Sequence, residues 1–297
     1  MKSASPLSLS VKIAVCVSIF FWASAFVAIR QGLTGFSPGS LACLRFGVAA
    51  ACLTLVYGLL PQRSTISLLD KVCLLLIGAI TLGSYHVSIN YGEITVSAAL
   101  SSFVISLSPI LTTLFAIAFL REGVTRLGVC GLMISTAGMV FILFGQETAM
   151  KLNTGILFIF VATVAGSIYN VLQKPFLKKY SAIEVTTWGV WGSLLTLGFY
   201  LPDLTREIYQ APASALWSAL YLGVFPTALA TVAWVYALSS MPAARATNFY
   251  YFMPVITTVI GWVCLSEMPT LLSFLGGMIA LFGVWMVNRS YQQRKVR

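Results

Sequence analysis

The chain has 297 residues, 59% of them hydrophobic and 9% charged, with a formal net charge of +10. Soluble proteins carry charge on about a quarter of their residues, so the few Lys, Arg, Asp and Glu here cannot clothe a water-exposed surface, and the apolar residues face lipid. At about 20 residues per span across roughly 30 Å of hydrocarbon, ten spans consume most of the chain and exclude a separate soluble domain; the basic residues sit between apolar runs instead of gathering on one face, which excludes nucleic acid as a partner.

The first expected span, Val11 to Ile29, presents Trp22 and Phe26 at helical spacing. Its beginning imitates a signal peptide: Lys12, an apolar run from Ile13 to Trp22, then Ala23-Ser24-Ala25. An internal repeat, described below, needs this helix, so it is read as a retained span. The second, Ser40 to Leu60, carries Arg45 about two turns inside, where an arginine snorkels, pairs with an acid from another helix, or binds a substrate carboxylate. The third, Val72 to Tyr91, places Gly83, His86 and Asn90 on one face, the most polar stripe of any span. His86 is the sole histidine, and an ionisable group within a membrane faces either a cavity or a bonding partner on a neighbouring helix. The fourth span, Val96 to Leu120, presents Ser102, Ser106 and Pro109, and the fifth runs from Leu127 to Phe144.

The sixth, Gly155 to Gln173, offers Gly166, Tyr169, Asn170 and Gln173 as a second cavity wall. After the seventh, Glu184 to Leu201, comes a polar break from Pro202 to Ser214; the eighth, Ala215 to Leu238, carries Thr227, Thr231 and Trp234. The ninth, Ala244 to Leu265, opens on Arg245 and presents Asn248, Tyr251 and Phe252 before Pro254, and the tenth runs from Leu271 to Asn288. The candidate substrate-binding residues are therefore Trp22, His86, Asn90, Ser102, Tyr169, Asn170, Trp234, Asn248 and Tyr251. Pro109 and Pro254 each free a carbonyl one turn back, which makes them candidate hinges or fixed kinks.

Alternating the spans puts Lys2, Lys12, Arg63, Lys71, Arg121, Arg126, Lys174, Lys178, Lys179, Arg289, Arg294, Lys295 and Arg297 on one side, and only Arg30, Lys151 and Arg206 on the other. The positive-inside rule then makes both termini cytoplasmic. All eight acids fall at or near span ends, which disfavours proton or sodium coupling through an acid inside the membrane. Glu122 and Glu267 are expected to start the helices that follow them. The six cysteines lie in apolar runs without metal-ligand spacing, and no phosphate-binding glycine loop occurs, so neither metal nor other cofactor is expected.

Shifting the chain by 145 positions lays its second half on its first without a gap: Gly78 on Gly223, Tyr91 on Tyr236, Pro109 on Pro254, Glu122 on Glu267, Gly131 on Gly276 and Gly138 on Gly283. Five spans is an odd number, so the copies, residues 1–145 and 146–297 with a short basic tail, enter the membrane from opposite sides. The expected fold is an all-α integral membrane protein of ten transmembrane helices in two inverted five-helix repeats, an arrangement suited to alternating access. At Trp22-Ala-Ser-Ala-Phe-Val-Ala-Ile-Arg30, Ser37-Pro38 with Leu44-Arg45, Ala98-Ala-Leu-Ser-Ser through Pro109, and the Leu120-Arg-Glu122 and Leu265-Ser-Glu267 elements, the chain resembles the EamA family of the drug/metabolite transporter superfamily. That resemblance implies an inner-membrane carrier with a central cavity lined mainly by the first, third, fourth, sixth, eighth and ninth helices.

The expected function is secondary transport of a small metabolite, with export of amino acids or related metabolites first and uptake or exchange of a nucleotide-like or vitamin-like solute as the alternative. Partners are that solute and the lipid bilayer, and the oligomeric state stays open. A membrane-embedded enzyme would need a nucleophile, base or metal ligands grouped together, and the scattered acids and single histidine offer no such group.

Overall fold

The computed structural model describes residues 7–144, 154–265 and 270–293, and Glu267 lies outside them. Lipid offers no hydrogen-bond partners to a backbone, so the apolar runs fold as helices that satisfy themselves. Six helical runs are long and apolar enough to cross a membrane: Leu9–Gly32, Pro38–Gly58, Leu68–Glu93, Ala98–Leu120, Thr154–Lys178 and Ala213–Ser239. Four more, Arg126–Phe144, Ala182–Leu197, the run 243–265 and Leu271–Gln293, complete ten spans at the expected places. Several starts are marked by serine caps: Ser8, Ser67, Ser97 and Ser181 each accept a backbone N–H from their own helix, and Pro38 opens the second span without losing a bond.

The halves interleave. The first span packs on the eighth and ninth while its repeat mate, the sixth, packs on the third and fourth. The third crosses the seventh as the eighth crosses the second. Second with seventh, fourth with ninth and fifth with tenth complete the set, each pair made of repeat mates. At the fifth–tenth seam Ser135 Oγ donates to Ala280 O at 2.9 Å, a bond between equivalent positions. A Cβ on Gly138 would meet Ala280 N at 2.4 Å and one on Gly131 would meet Gly283 O at 2.8 Å, so small residues set how near these helices approach.

Two local features went unforeseen in the sequence. The third and eighth spans widen into π turns at the equivalent segments Gly78–Gly83 and Gly223–Leu229. Pro226 lies inside the second of these, and Trp22 Nε1 and Thr231 Oγ1 take up its carbonyl. The segment after the seventh span, expected to be a polar break, holds a short helix, Leu201–Glu207. The two prolines read as candidate hinges or fixed kinks also sit differently from a mid-helix kink. The fourth span is already broken at Ser106 and Leu107, and Pro109 lies in the first turn of the segment that follows; Pro254 lies early in Phe252–Leu265, after a 3-10 turn over Asn248–Tyr251. Proline at the start of a helix loses no bond there, so these two prolines begin the second halves of broken spans.

Acids latch the ends of the bundle. Arg121 closes the fourth span with a left-handed turn, φ 54°, that carries Glu122 across to the ninth. Its carboxylate accepts Ala243 N at 3.0 Å and Ala244 N at 3.3 Å, so Glu122 caps the ninth span rather than the helix next in sequence. Beside it the Lys174 ammonium donates to Leu238 O and Met241 O. Glu184 completes a capping box with Ser181 and binds Ser64 N at 2.6 Å, and Asp70 holds Lys179 at 3.1 Å. The hydrogen bond and charge of Asp70 raise the Lys179 ammonium above its ordinary range. These latches share the end of the bundle that carries most of the lysines and arginines, called here the basic face. At the opposite face Glu207 accepts Ser37 N at 2.9 Å, tying the short helix to the start of the second span.

Candidate functional site

One cavity lies where the halves meet, enclosing about 770 Å³ of atom-free space with its mouth included. The first span contributes Trp22 to Ile29, the second Arg45, the third Leu82 to Ile89, and the fourth Ile105 and Ser108. The other half contributes Thr163, Gly166, Tyr169 and Asn170 from the sixth span, Thr231 and Trp234 from the eighth, and Tyr250 and Met253 from the ninth. The helices expected from the resemblance therefore meet here, with the second span added.

The wall nearer the basic face is aromatic. Trp22 and Trp234 rings stand 5.3 Å apart, Trp22 and Tyr250 meet edge to face at 5.7 Å, and Trp234 and Tyr250 lie 4.8 Å apart. A single amide ties two of them: Trp234 Nε1 donates to Asn170 Oδ1 at 2.8 Å, and Asn170 Nδ2 donates to Tyr250 OH at 3.1 Å. Aromatic faces of this kind accept apolar groups and cations alike.

Across the cavity stand the polar groups. Arg45 is 2% exposed; its Nε donates to Thr227 Oγ1 at 3.0 Å, and its Nη1 has no partner. His86 lies between the Phe46 and Tyr85 rings, each 4.7 Å away, and its Nδ1 has no partner. The Tyr169 hydroxyl is likewise buried and unbonded. Buried polar groups are almost always bonded, and three of the exceptions among the described residues line this one cavity.

Of the residues singled out in the sequence, Trp22, His86, Tyr169, Asn170 and Trp234 come together at the cavity. Four stand elsewhere. Asn90 turns to the start of the second span, donating to Pro38 O at 2.9 Å. Ser102 bonds its own helix at Ala99 O, 2.7 Å, as serines in helices do. Asn248 and Tyr251 face the fifth and tenth spans, through Val284 O at 3.4 Å and Thr136 Oγ1 at 2.9 Å. The cause is the 3-10 turn over Asn248–Tyr251: with three residues per turn, Tyr250 and Met253 share the cavity side while Asn248 and Tyr251 share the other. Arg245 is buried and held by Asn288 Oδ1 at 3.0 Å, away from any mouth.

Sequence reasoning missed Tyr85, Tyr250 and Met253, and left Arg45 open. Glu93 closes the third span, as read from the sequence, but its burial was not foreseen: it is 2% exposed with both carboxylate oxygens unbonded. The signal available for Glu93 was its helical register with His86 on the third span.

The EamA-like transporter family matches this chain twice, over residues 9–144 and 153–289. The Bacillus subtilis transporter YdfC is 35% identical over 277 residues, covering 93% of this chain and 90% of its own. A protein of Streptantibioticus cattleyicolor described as a "probable terminal-alkyne amino-acid exporter" is 32% identical, over 93% of this chain and 92% of its own. A solved crystal structure shares the fold, with a TM-score of 0.75 at 18% identity, over 96% of this chain and 98% of that one. Two matches that together span nearly the whole sequence, set on ten helices around one shared cavity, make this chain a member of the EamA-like transporter family.

Proposed function

We propose that the protein exports amino acids or closely related zwitterions across the inner membrane by alternating access, with the basic face and both termini in the cytoplasm. The observation that carries the substrate reading is the pairing, in one cavity, of the buried Arg45 guanidinium, whose Nη1 has no partner, with an aromatic wall of Trp22, Trp234 and Tyr250. A guanidinium presents a fork of donors suited to a carboxylate. The aromatic wall takes an apolar side chain, and the free Tyr169 hydroxyl and ring faces receive an ammonium. The relative described as an amino-acid exporter supports the same class, and the excess of basic residues on one face supports the orientation. Because the cavity is bounded by interleaved, inverted halves, exchanging their conformations exposes it to each side in turn.

The test is efflux from proteoliposomes loaded with radiolabelled amino acids, nucleosides or vitamins. Saturable efflux of an amino acid, lost in Arg45→Gln and weakened in Trp234→Ala, is the expected result. Flux of nucleosides or vitamins without amino acids would replace this reading with uptake or exchange of such solutes. No flux of any of them would reject the carrier assignment.

A further inference from the structure

Gly166 lies inside the sixth span and lines the cavity. Glycine is a poorer helix former than alanine, so a glycine at this place calls for a steric reason. A Cβ on Gly166 would lie 3.0 Å from Cδ2 and 3.1 Å from Cε2 of Tyr85, and no other residue's side chain or neighbouring helix comes as close. Carbon atoms pack at about 3.5–4.0 Å. The Tyr85 ring therefore fills the gap that the missing side chain leaves between the third and sixth spans. Tyr85 also lines the cavity, where it is partly exposed, and its ring meets that of His86 at 4.7 Å.

The third span has no room to withdraw from a larger neighbour. Against the sixth span, a Cβ on Gly92 would meet Gly155 O at 2.9 Å. Against the seventh, a Cβ on Gly78 would overlap Gly189 O and one on Gly192 would overlap Leu75 O. Backbone touches backbone on both sides, and close-packed helices of this kind do not slide apart for one methyl group. A side chain at position 166 is then met by movement of the Tyr85 ring, and the open space beside that ring is the cavity.

Resting on the amino-acid reading above, we infer that Gly166 determines specificity: by seating the Tyr85 ring in the wall, it sets the largest side chain that the cavity admits. All amino acids present the same carboxylate and ammonium, so selection among them falls on whatever fills the remaining space. A small side chain leaves the ring untouched, whereas a large one packs against it. Moving the ring inward penalises large solutes more than small ones, by excluded volume and without the loss of any bond. A change of one methylene in the fit of a pocket alters selection about tenfold or more.

The experiment measures proteoliposome efflux of a series of L-amino acids from alanine to tryptophan, and takes the ratio of kcat/KM for the largest one carried by the wild type to that for the smallest. Gly166→Ala is expected to lower this ratio about tenfold. In a Tyr85→Ala background, where no ring stands to be moved, the same glycine change is expected to alter it less than about twofold. An unchanged ratio in Gly166→Ala, or an equal fall in both backgrounds, overturns the inference and leaves the amino-acid reading standing. If Gly166→Ala does not fold, Tyr85→Ala alone decides: a ratio raised in favour of the larger solute is expected, and a ratio that stays or falls overturns the inference. If no amino acid is carried, that reading fails instead, and unfolding temperature in detergent decides the seating of the ring. Gly166→Ala is expected to lower it when Tyr85 is present and not in the Tyr85→Ala background; equal shifts in the two overturn the seating.

Discussion

Asn170 holds two rings of the aromatic wall, because both ends of its amide are used: its oxygen receives Trp234 and its nitrogen serves Tyr250. Replacement by leucine strands the indole N–H in a buried site, which costs about 1–3 kcal/mol. Asn170→Leu is therefore expected to unfold at a lower temperature in detergent and to lose most substrate flux. Ser102→Ala is the contrast. That hydroxyl bonds only its own helix, so unfolding temperature and flux are expected to stay near wild type. Substantial loss of flux in Ser102→Ala would place that residue at the substrate after all. At Arg45, Nε is anchored on Thr227 Oγ1, which in turn donates to Leu222 O at 2.8 Å, while Nη1 is left unbonded. Arg45→Lys retains the charge but loses the planar fork, and is expected to raise the KM for an amino acid about tenfold or more while the purified protein remains folded. An unchanged KM would separate Arg45 from the substrate.

At the scale of elements, spans were legible and their inner faces only partly so. Apolar length and the 145-residue repeat located all ten helices within a few residues, since lipid leaves the backbone no other choice. The turns that break those helices were not legible: a helical wheel assumes 3.6 residues per turn, and the 3-10 turn at Asn248–Tyr251 gives three. That change moved Tyr250 into the cavity and Tyr251 out of it. The destination of Glu122 was hidden for a related reason, because the left-handed Arg121 sends it to a helix start over a hundred residues away. Glu122→Ala removes two charge-assisted bonds to Ala243 N and Ala244 N, and is expected to cost about 1.5–3 kcal/mol, measured as a fall in unfolding temperature. The fifth–tenth seam gives a steric test. Gly138→Leu must displace Ala280 and Gly276 backbone, an overpacking that costs about 1–3 kcal/mol. Gly47→Ala, with nothing within 4 Å of the new methyl, is expected to be neutral or slightly stabilising. Equal stability of the two variants would mean that the seam is looser than described.

For the whole molecule, the repeat explains why the cavity lies where it does. Repeat mates pack against one another or against each other's neighbours, so the central cavity is bounded by both halves, and each of its walls draws on spans from both copies. Matched π turns at Gly78 and Gly223, matched breaks before Pro109 and Pro254, and the Ser135–Ala280 bond show that equivalence extends to local backbone. The side chains have diverged. Arg45 and His86 belong to the first half, while Asn170, Trp234 and Tyr250 belong to the second, which makes a symmetric scaffold into a polar-to-aromatic site. Alternating access requires that one central position be open to each side at different times. The most direct measurement places a single cysteine at Ser108, which lines the cavity, in a protein whose six native cysteines are replaced, and labels it with a membrane-impermeant thiol reagent from either side of oriented proteoliposomes. Labelling from both sides, slowed from both by saturating amino acid, is the predicted result; labelling from one side alone, with or without substrate, would contradict the account.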